Sequence, residues 1–243
     1  LSIRGQRQMC IRDSSKLGAQ TILVDKDEIA LKESVAKLGV GHKYFSIDVT
    51  HSDAANQAML AAINNFGGLD ILISNAGAAH AGPMLGISNE ELRNAFELNF
   101  FSHYSFSTEA AKILKDQNRG GQILFNISKQ AVNPGKNFGA YGLPKATTFF
   151  LMRQLALELG SDGIRVNGIN ADRIRSGLLT DDFISSRAKS RGVSESEYMA
   201  GNLLNKEVTA EHVADAFTAL ACAESTTGHV MTVDGGNIEA SLR

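Results

Sequence analysis

Residues 120–128 read GGQILFNIS and residues 141–145 read YGLPK. The first stretch is an apolar run bounded by Gly120 and Gly121, which predicts a buried strand over Ile123–Ile127 with Ser128 at its C-terminal end. In open α/β sheets ligands bind outside the carboxyl ends of the strands, so Ser128 falls where a site is expected. The second stretch opens a helix predicted to run from Tyr141 to about Leu159. Tyr141 and Lys145, four residues apart, share one face of that helix, where an ammonium can stabilise a phenolate and draw the tyrosine pKa down from about 10. A tyrosine tuned in this way serves as an acid or base near neutrality. One Tyr-x-x-x-Lys is a weak motif, but the ordered series Ser74-Asn75-Ala76-Gly77, Asn99, Ser128, Tyr141 and Lys145 is far more specific.

Outward from this stretch, short apolar runs alternate with longer helical patterns, as in a parallel sheet covered by helices on both faces. Thr21-Ile22-Leu23-Val24 reads as a strand ending at Asp25. Ile29, Leu31, Val35 and Leu38 have helical spacing, and Gly39 closes that helix. Tyr44-Phe45-Ser46-Ile47 forms the next strand, with Asp48 at its end. A helix over Asp53–Phe66 and the pair Gly67-Gly68 lead into the strand Leu69–Ile73. Ser88-Asn89-Glu90-Glu91 is a capping-box signature for a long helix that carries Asn99. Ile164-Arg165-Val166 and Val230-Met231-Thr232-Val233 supply the last two strands. The fold class predicted is α/β, a Rossmann-like doubly wound parallel sheet in a single domain.

The N-terminal end departs from that pattern. A dinucleotide-binding sheet opens with a strand running into a glycine-rich turn, whose backbone N–H groups hold the pyrophosphate. Leu1 to Ser14 reads LSIRGQRQMCIRDS, with one glycine and no apolar strand beyond Leu1-Ser2-Ile3. Gln8 to Asp13 resembles the translation of a transposon-end adapter used in DNA library preparation. Residues 1–14 are therefore read as a non-native leader and residues 15–243 as the domain, with the first strand and glycine-rich loop missing. A divergent but genuine N-terminus is the other reading.

At 243 residues and 43% hydrophobic, the chain can bury a full core. A formal net charge of -2 with both signs interspersed gives no footprint for nucleic acid or a membrane surface. Of the 2 cysteines, Cys10 lies in the suspect leader, and Cys222 is expected as a core residue of a reduced, cytoplasmic protein. No secretory signal or long apolar run is present, and no metal site is expected. From Ala171 to Val208 the chain is charged, Ser-rich and too long for an ordinary connection, so a lid with short helices is expected there. The competing reading is a solvated surface excursion.

From Leu17 to the C-terminus the chain resembles the short-chain dehydrogenase/reductase family, through the motifs above and the late Val233-Asp234-Gly235-Gly236. The resemblance implies that Tyr141 gives or takes the proton, Ser128 holds the substrate oxygen, Lys145 grips the nicotinamide ribose and tunes Tyr141, and Asn99 anchors a water relay behind the lysine. It also places Asp48 near the adenine and Asn75, Ala76 and Gly77 on the floor of the cofactor cleft, and implies a homo-oligomer, dimer or tetramer, formed through the helices bearing Asn99 and Tyr141. Asp25, an acidic residue ending a strand, suits hydrogen bonds to a ribose 2′-hydroxyl and repels a 2′-phosphate, which favours NAD over NADP. A capping role for the same carboxylate is the bland reading.

Two departures from the family pattern stand out. The glycine-rich loop is absent, and Asn170-Ala171-Asp172 replaces the usual Pro-Gly after the sixth strand. With Ser128-Lys129-Gln130 and the ending Asp234-Gly235-Gly236-Asn237, the second departure resembles the dehydrogenase portion of bifunctional rhamnulose-phosphate aldolase/alcohol dehydrogenase proteins. That likeness implies an aldolase domain ahead of this one, a role in carbohydrate metabolism, and a small hydroxyaldehyde such as lactaldehyde or a sugar-derived compound as substrate. Arg173 and Arg175 read first as exposed charges and second as contacts for an anionic or polyhydroxylated substrate. The reading from another class is a degenerate Rossmann protein that binds a ligand or partner without turnover.

Overall fold

In a computed structural model, the chain is described over residues 18–79, 81–175 and 179–237. The expected leader, and with it the missing first strand and glycine-rich loop, lies outside the described residues. Strands β1 (Ile22–Asp25) and β2 (Lys43–Ser46) pair in parallel, flanked by helices α1 (Glu28–Leu38) and α2 (Ala54–Phe66). Strands β3 (Ile71–Ser74), β4 (Gly121–Asn126), β5 (Ile164–Ala171) and β6 (Val230–Val233) form a second parallel set in that order. Each helix between these strands carries the chain back across a face of the sheet, as parallel pairing requires.

Helix starts follow the sequence signals. Asp27 caps α1 by accepting from Ala30 N–H at 3.0 Å, and Gly67 closes α2 in the left-handed conformation. The capping box is present at α3 (Asn89–Phe96): Ser88 Oγ accepts from Glu91 N–H at 3.1 Å, and Glu91 Oε2 accepts from Ser88 N–H at 2.8 Å. From α3 the chain passes through a wide π turn, Glu97–Phe101, directly into α4 (Ser102–Gln117). Asn99 sits in that turn, where inserted residues change which side chains face inward.

Strand β4 lies at the centre of the core, and its side chains alternate between the two faces of the sheet. Ile123 and Phe125 pack with Leu114 of α4 and with Met152, Leu155 and Leu159 of α5 (Gly139–Leu159). Leu124 turns to the opposite face and joins Ile169 of β5 with Val213, Phe217 and Leu220 of α8 (Ala210–Cys222). A third cluster ties α2 to α4 through Ala55, Ala58, Met59, Phe106 and Ala110, with Val24 and Phe45 packed against it.

Three elements differ from expectation. Strand β5 runs on to Ala171 rather than ending at Val166, because Asn167 is satisfied within the fold: its amide donates to Thr226 O at 2.8 Å and its carbonyl accepts from His229 N–H at 3.0 Å. Helix α8 was not signalled by the reading of the chain and supplies one whole layer of the core. Cys222 is exposed rather than buried, because it is the last residue of α8, two positions beyond the inward-facing Leu220. No helix among the described residues is long and apolar enough to cross a membrane.

Candidate active site

The carboxyl ends of β3 and β4 and the first turn of α5 bring most of the expected residues together. Helix α5 starts at Gly139, two residues before Tyr141, and its second turn carries Lys145. Ser128 follows β4 by two residues and caps the short 3-10 turn Lys129–Ala131, its Oγ accepting from Gln130 N–H at 3.3 Å. Gly142 lets the helix approach this turn: a Cβ there would lie 3.1 Å from Gln130 O. Ser128 and Tyr141 line one cavity.

Lys145 is 2% exposed, and its Nζ donates to Asn126 O at 2.9 Å and lies 3.5 Å from His103 Nε2. It stands 5.8 Å from the centre of the Tyr141 ring. Asn99 is buried and holds the strand-end segment in place: its Nδ2 donates to Ala78 O at 2.9 Å and to Ala95 O at 3.1 Å, and its Oδ1 accepts from Ala78 N–H at 3.2 Å. Its backbone carbonyl accepts from Thr148 Oγ at 2.7 Å, which ties the π turn to α5. Gly77 is where these groups converge. A Cβ there would come within 2.8 Å of Asn99 Oδ1 and 3.6 Å of Lys145 Nζ, so space rather than backbone conformation demands glycine.

The electrostatics differ from the expected direction. Burial pushes Tyr141 up to about 12, with the Ser128 hydrogen bond opposing it, and burial alone draws Lys145 down to about 7. Desolvation outweighs mutual stabilisation because Tyr141 is only 9% exposed and a buried charge on either group is costly. The phenol is accordingly held in its acid form, and Lys145 titrates near neutrality. His103, which the sequence reading missed, is also buried. Its Nδ1 lies 2.6 Å from Ser74 Oγ, and burial, then the Lys145 charge, holds its pKa well below the ordinary histidine value. The signal for it was its spacing: four residues after Asn99, His103 sits one turn further along the same helical run.

On the other side of the cleft, Asp25 is buried at the end of β1, where its Oδ1 accepts from Asp27 N–H at 3.0 Å. Asp48 ends its own segment, its carboxylate held low by the Thr50 backbone hydrogen bond despite partial burial and helped by Lys26 at 3.5 Å. Asn75 Oδ1 accepts from Asn126 Nδ2 at 2.6 Å, joining the ends of β3 and β4. Asp25 and Asp48 belong to the β1–β2 pair and are not part of the Ser128–Tyr141–Lys145 cluster. Among the described residues no group of three or more His, Cys, Asp or Glu is placed to hold a metal ion.

A cavity of about 280 Å³ opens beside Ser128 and Tyr141. The expected lid region contributes α6 (Asp181–Arg191) and α7 (Glu195–Met199), whose Phe183, Arg187 and Tyr198 reach the cavity wall. Arg173 lines the cavity, whereas Arg175 is turned to the surface, pairing with Glu207 and Asp181 at 2.7 Å each. The three segments singled out in the sequence meet here: Asn237 Nδ2 donates to Asp172 Oδ2 at 2.7 Å, and Lys129 Nζ pairs with Asp172 Oδ1 at 2.9 Å.

Residues 8–237 match the family model described as enoyl-(acyl carrier protein) reductase. The chain is 35% identical over 198 residues to the uncharacterized oxidoreductase YuxG of Bacillus subtilis, covering 78% of this chain and 29% of that protein. It is 30% identical over 231 residues to the mitochondrial borneol dehydrogenase of Lavandula x intermedia, covering 91% of this chain and 82% of that one. Its fold matches the crystal structure of the 3-ketoacyl-(acyl-carrier-protein) reductase of Brucella melitensis complexed with NADH, with a TM-score of 0.83, 24% identity, and coverage of 96% of this chain and 93% of that one. With the ordered tyrosine, lysine, serine and asparagine gathered at the strand ends, these similarities establish that the chain is an oxidoreductase belonging to the short-chain dehydrogenase/reductase family.

Proposed function

We propose that this protein exchanges a hydride between a nicotinamide nucleotide, NAD in preference to NADP, and a hydroxyl or carbonyl carbon of a small polar metabolite. The observation that carries the reading is the convergence of Ser128, Tyr141 and Lys145 at the end of β4, with the 280 Å³ cavity beside them. Lys145 supports the cofactor: an ammonium has three N–H donors, and this one gives one to Asn126 O and faces His103, with no carboxylate among the described residues paired to it. A ribose diol is a fitting acceptor for a buried cation of this kind. Asp25 supports NAD through its carboxylate at the strand end.

Bound nicotinamide accepts or supplies the hydride. In alcohol oxidation the substrate hydroxyl proton passes to Tyr141, and in reduction the Tyr141 phenol returns it to the forming alkoxide. Ser128 donates to the same oxygen and stabilises its charge. Because burial keeps the phenol protonated, the site is set to donate a proton, and Lys145 in its ammonium form is the group that favours the phenolate needed for oxidation.

Hydroxyaldehydes such as lactaldehyde and sugar-derived carbonyl compounds are the first candidates, with carbohydrate metabolism in the cytoplasm as the setting. An aldolase domain ahead of this one rests on the sequence likeness alone; the chain spans 29% of the length of YuxG. Residues 171–208 act as the lid. Exposed Phe101 and Tyr104 on the Asn99-bearing helix, and Phe150 and Leu157 on α5, support a homodimer or homotetramer. Sedimentation at a single species of monomer mass would remove that part of the reading. The non-catalytic reading has no support from these similarities.

The test is the rate of NADH oxidation across hydroxyaldehydes and ketoses, with Tyr141→Phe as the control. Loss of a positioned acid is expected to lower kcat by about a thousandfold, within the usual range for general acid–base catalysis. A wild-type rate no higher than that of the variant on every compound would overturn the assignment.

A further inference from the structure

Among the described residues, the cavity beside Ser128 and Tyr141 is lined by five basic side chains and one carboxylate, that of Asp172. Asp172 is buried and already engaged: Lys129 Nζ lies at 2.9 Å, Arg173 Nε at 3.1 Å, and Asn237 Nδ2 at 2.7 Å. Two cations on one carboxylate leave that group with an excess positive charge. Lys136, Arg187 and Arg191 add three more, none with a carboxylate within ion-pair distance among the described residues.

Arg187 is not an ordinary solvated surface charge. Its guanidinium lies 5.6 Å from the Phe138 ring and 6.0 Å from the Phe183 ring, and these rings contact each other edge to face at 5.8 Å. Its Nε is buried without a hydrogen-bond partner. A desolvated guanidinium donor left unpaired is costly, and an oxyanion is the ligand that removes the cost, since the planar fork matches carboxylate and phosphate oxygens. Arg191 lies one helical turn further along α6, on the same face, and stacks on Tyr198 at 5.2 Å; Arg173 approaches that same ring at 5.0 Å. Arg191, in the last turn of α6, suits the helix C-terminus, but Arg187 lies a turn further in, and like charges four residues apart oppose helix formation. The Phe138, Phe183 and Tyr198 rings lie beside these guanidinium groups, contacts that favour a cation held in place.

We infer that the substrate carries an anionic group, a terminal phosphate or carboxylate, held by Arg187 and Arg191 with Lys136 while its hydroxyl or carbonyl faces Ser128 and Tyr141. The inference rests on the reading of that pair as the reacting site and gives it a substrate class: short hydroxy or oxo compounds with an acidic end, of a size that a 280 Å³ cavity accommodates. Neutral hydroxyaldehydes of the same length would be the weaker substrates.

Binding and turnover test the two parts separately. Isothermal titration of the full chain with glycerol 3-phosphate, glycerate and glycerol reads the anion site without chemistry, and the two anions show whether phosphate or carboxylate is preferred. At least one anion is expected to bind at least tenfold more tightly than glycerol, in Tyr141→Phe as in the wild type, and to lose that advantage in Arg187→Met. Lys136→Met, at an exposed position that leaves packing intact, should weaken the same anion several-fold. In turnover, kcat/KM for glyceraldehyde 3-phosphate or for a 2-oxo acid should exceed that for glyceraldehyde, and Arg187→Met should reduce the ratio at least tenfold. Equal binding of glycerol and both anions, or a ratio unmoved by both substitutions, would overturn the inference. Anion binding that survives Tyr141→Phe, with no turnover of any compound, would count against the oxidoreductase site alone.

Discussion

Strands β4 and β5 are buried along nearly their whole length, whereas β1, β2 and β3 alternate between buried, half-buried and exposed positions, Ile71 of β3 being 40% exposed. The groups in the closely packed half are governed by desolvation: Tyr141 is pushed to about 12 and Lys145 to about 7. Asp48, in the looser half, is governed by a hydrogen bond from its own turn. The groups whose proton affinities are most shifted lie where water is excluded. The proposed nucleotide-binding carboxylate, Asp25, belongs to the β1–β2 pair instead.

Core truncation offers the largest break of that comparison. Phe125→Ala removes a fully buried ring from the packing of α4 and α5 and is expected to cost about 4 kcal/mol, within the range for such deletions. Leu23→Ala removes a smaller buried side chain from the shorter strand β1, and about 2 kcal/mol is expected, the low end of the range for such deletions. Urea unfolding of the two variants measures the difference. Equal losses would mean that the β1 side is packed as tightly as the β4 side, and the contrast would fall.

Lys145→Met sharpens the electrostatic side. The folded protein holds Lys145 near 7, below the ordinary value of 10.5. Between those values the unfolded chain binds the proton and the folded chain does not, so wild-type stability rises with pH, by up to about 1.4 kcal/mol per unit from this group. Below pH 7 the penalty for a buried ammonium is fully present. Tyr141 acts only later: its raised pKa makes stability fall as pH climbs from about 10 towards 12. Lys145→Met should therefore be inactive yet more stable than wild type at pH 6, with the gap closing towards pH 9. A variant less stable at both values would show that the Asn126 and His103 contacts outweigh the desolvation.

The chain announced the closely packed half better than its electrostatics. The run Ile123–Ile127 and the Tyr141–Lys145 spacing placed the central strand and the helix that brings Tyr141 and Lys145 to its end. The same residues misled about pKa, because spacing shows that an ammonium can approach a phenol but not that both are sealed from water. Strand β5 was cut short at Val166, since Asn167 looks like a loop residue until Thr226 and His229 are seen to satisfy it. His103 and the arginines of α6 were not singled out. His103 had only its spacing from Asn99 to mark it, and charges in a polar segment carry no local signal; their meaning comes from the distant residues that face them.

Asp25 gives the smallest expected effect and the direct test of the open half. Its carboxylate is buried at the end of β1 and accepts from Asp27 N–H at 3.0 Å, so its orientation is fixed by the turn that follows. An oriented anion there favours a ribose hydroxyl and repels a phosphate on the same carbon. Asp25→Asn keeps the size and an acceptor oxygen for Asp27 while removing the charge. The ratio of kcat/KM with NAD to that with NADP is expected to fall by about tenfold, equivalent to ~1.4 kcal/mol. The gain should lie mainly in NADP, whose repulsion is relieved, and should shrink with added salt to the extent that the site is open to solvent. A ratio that does not move would reduce Asp25 to a turn-forming residue, and a ratio indifferent to salt would place its carboxylate in an environment as closed as that of Lys145.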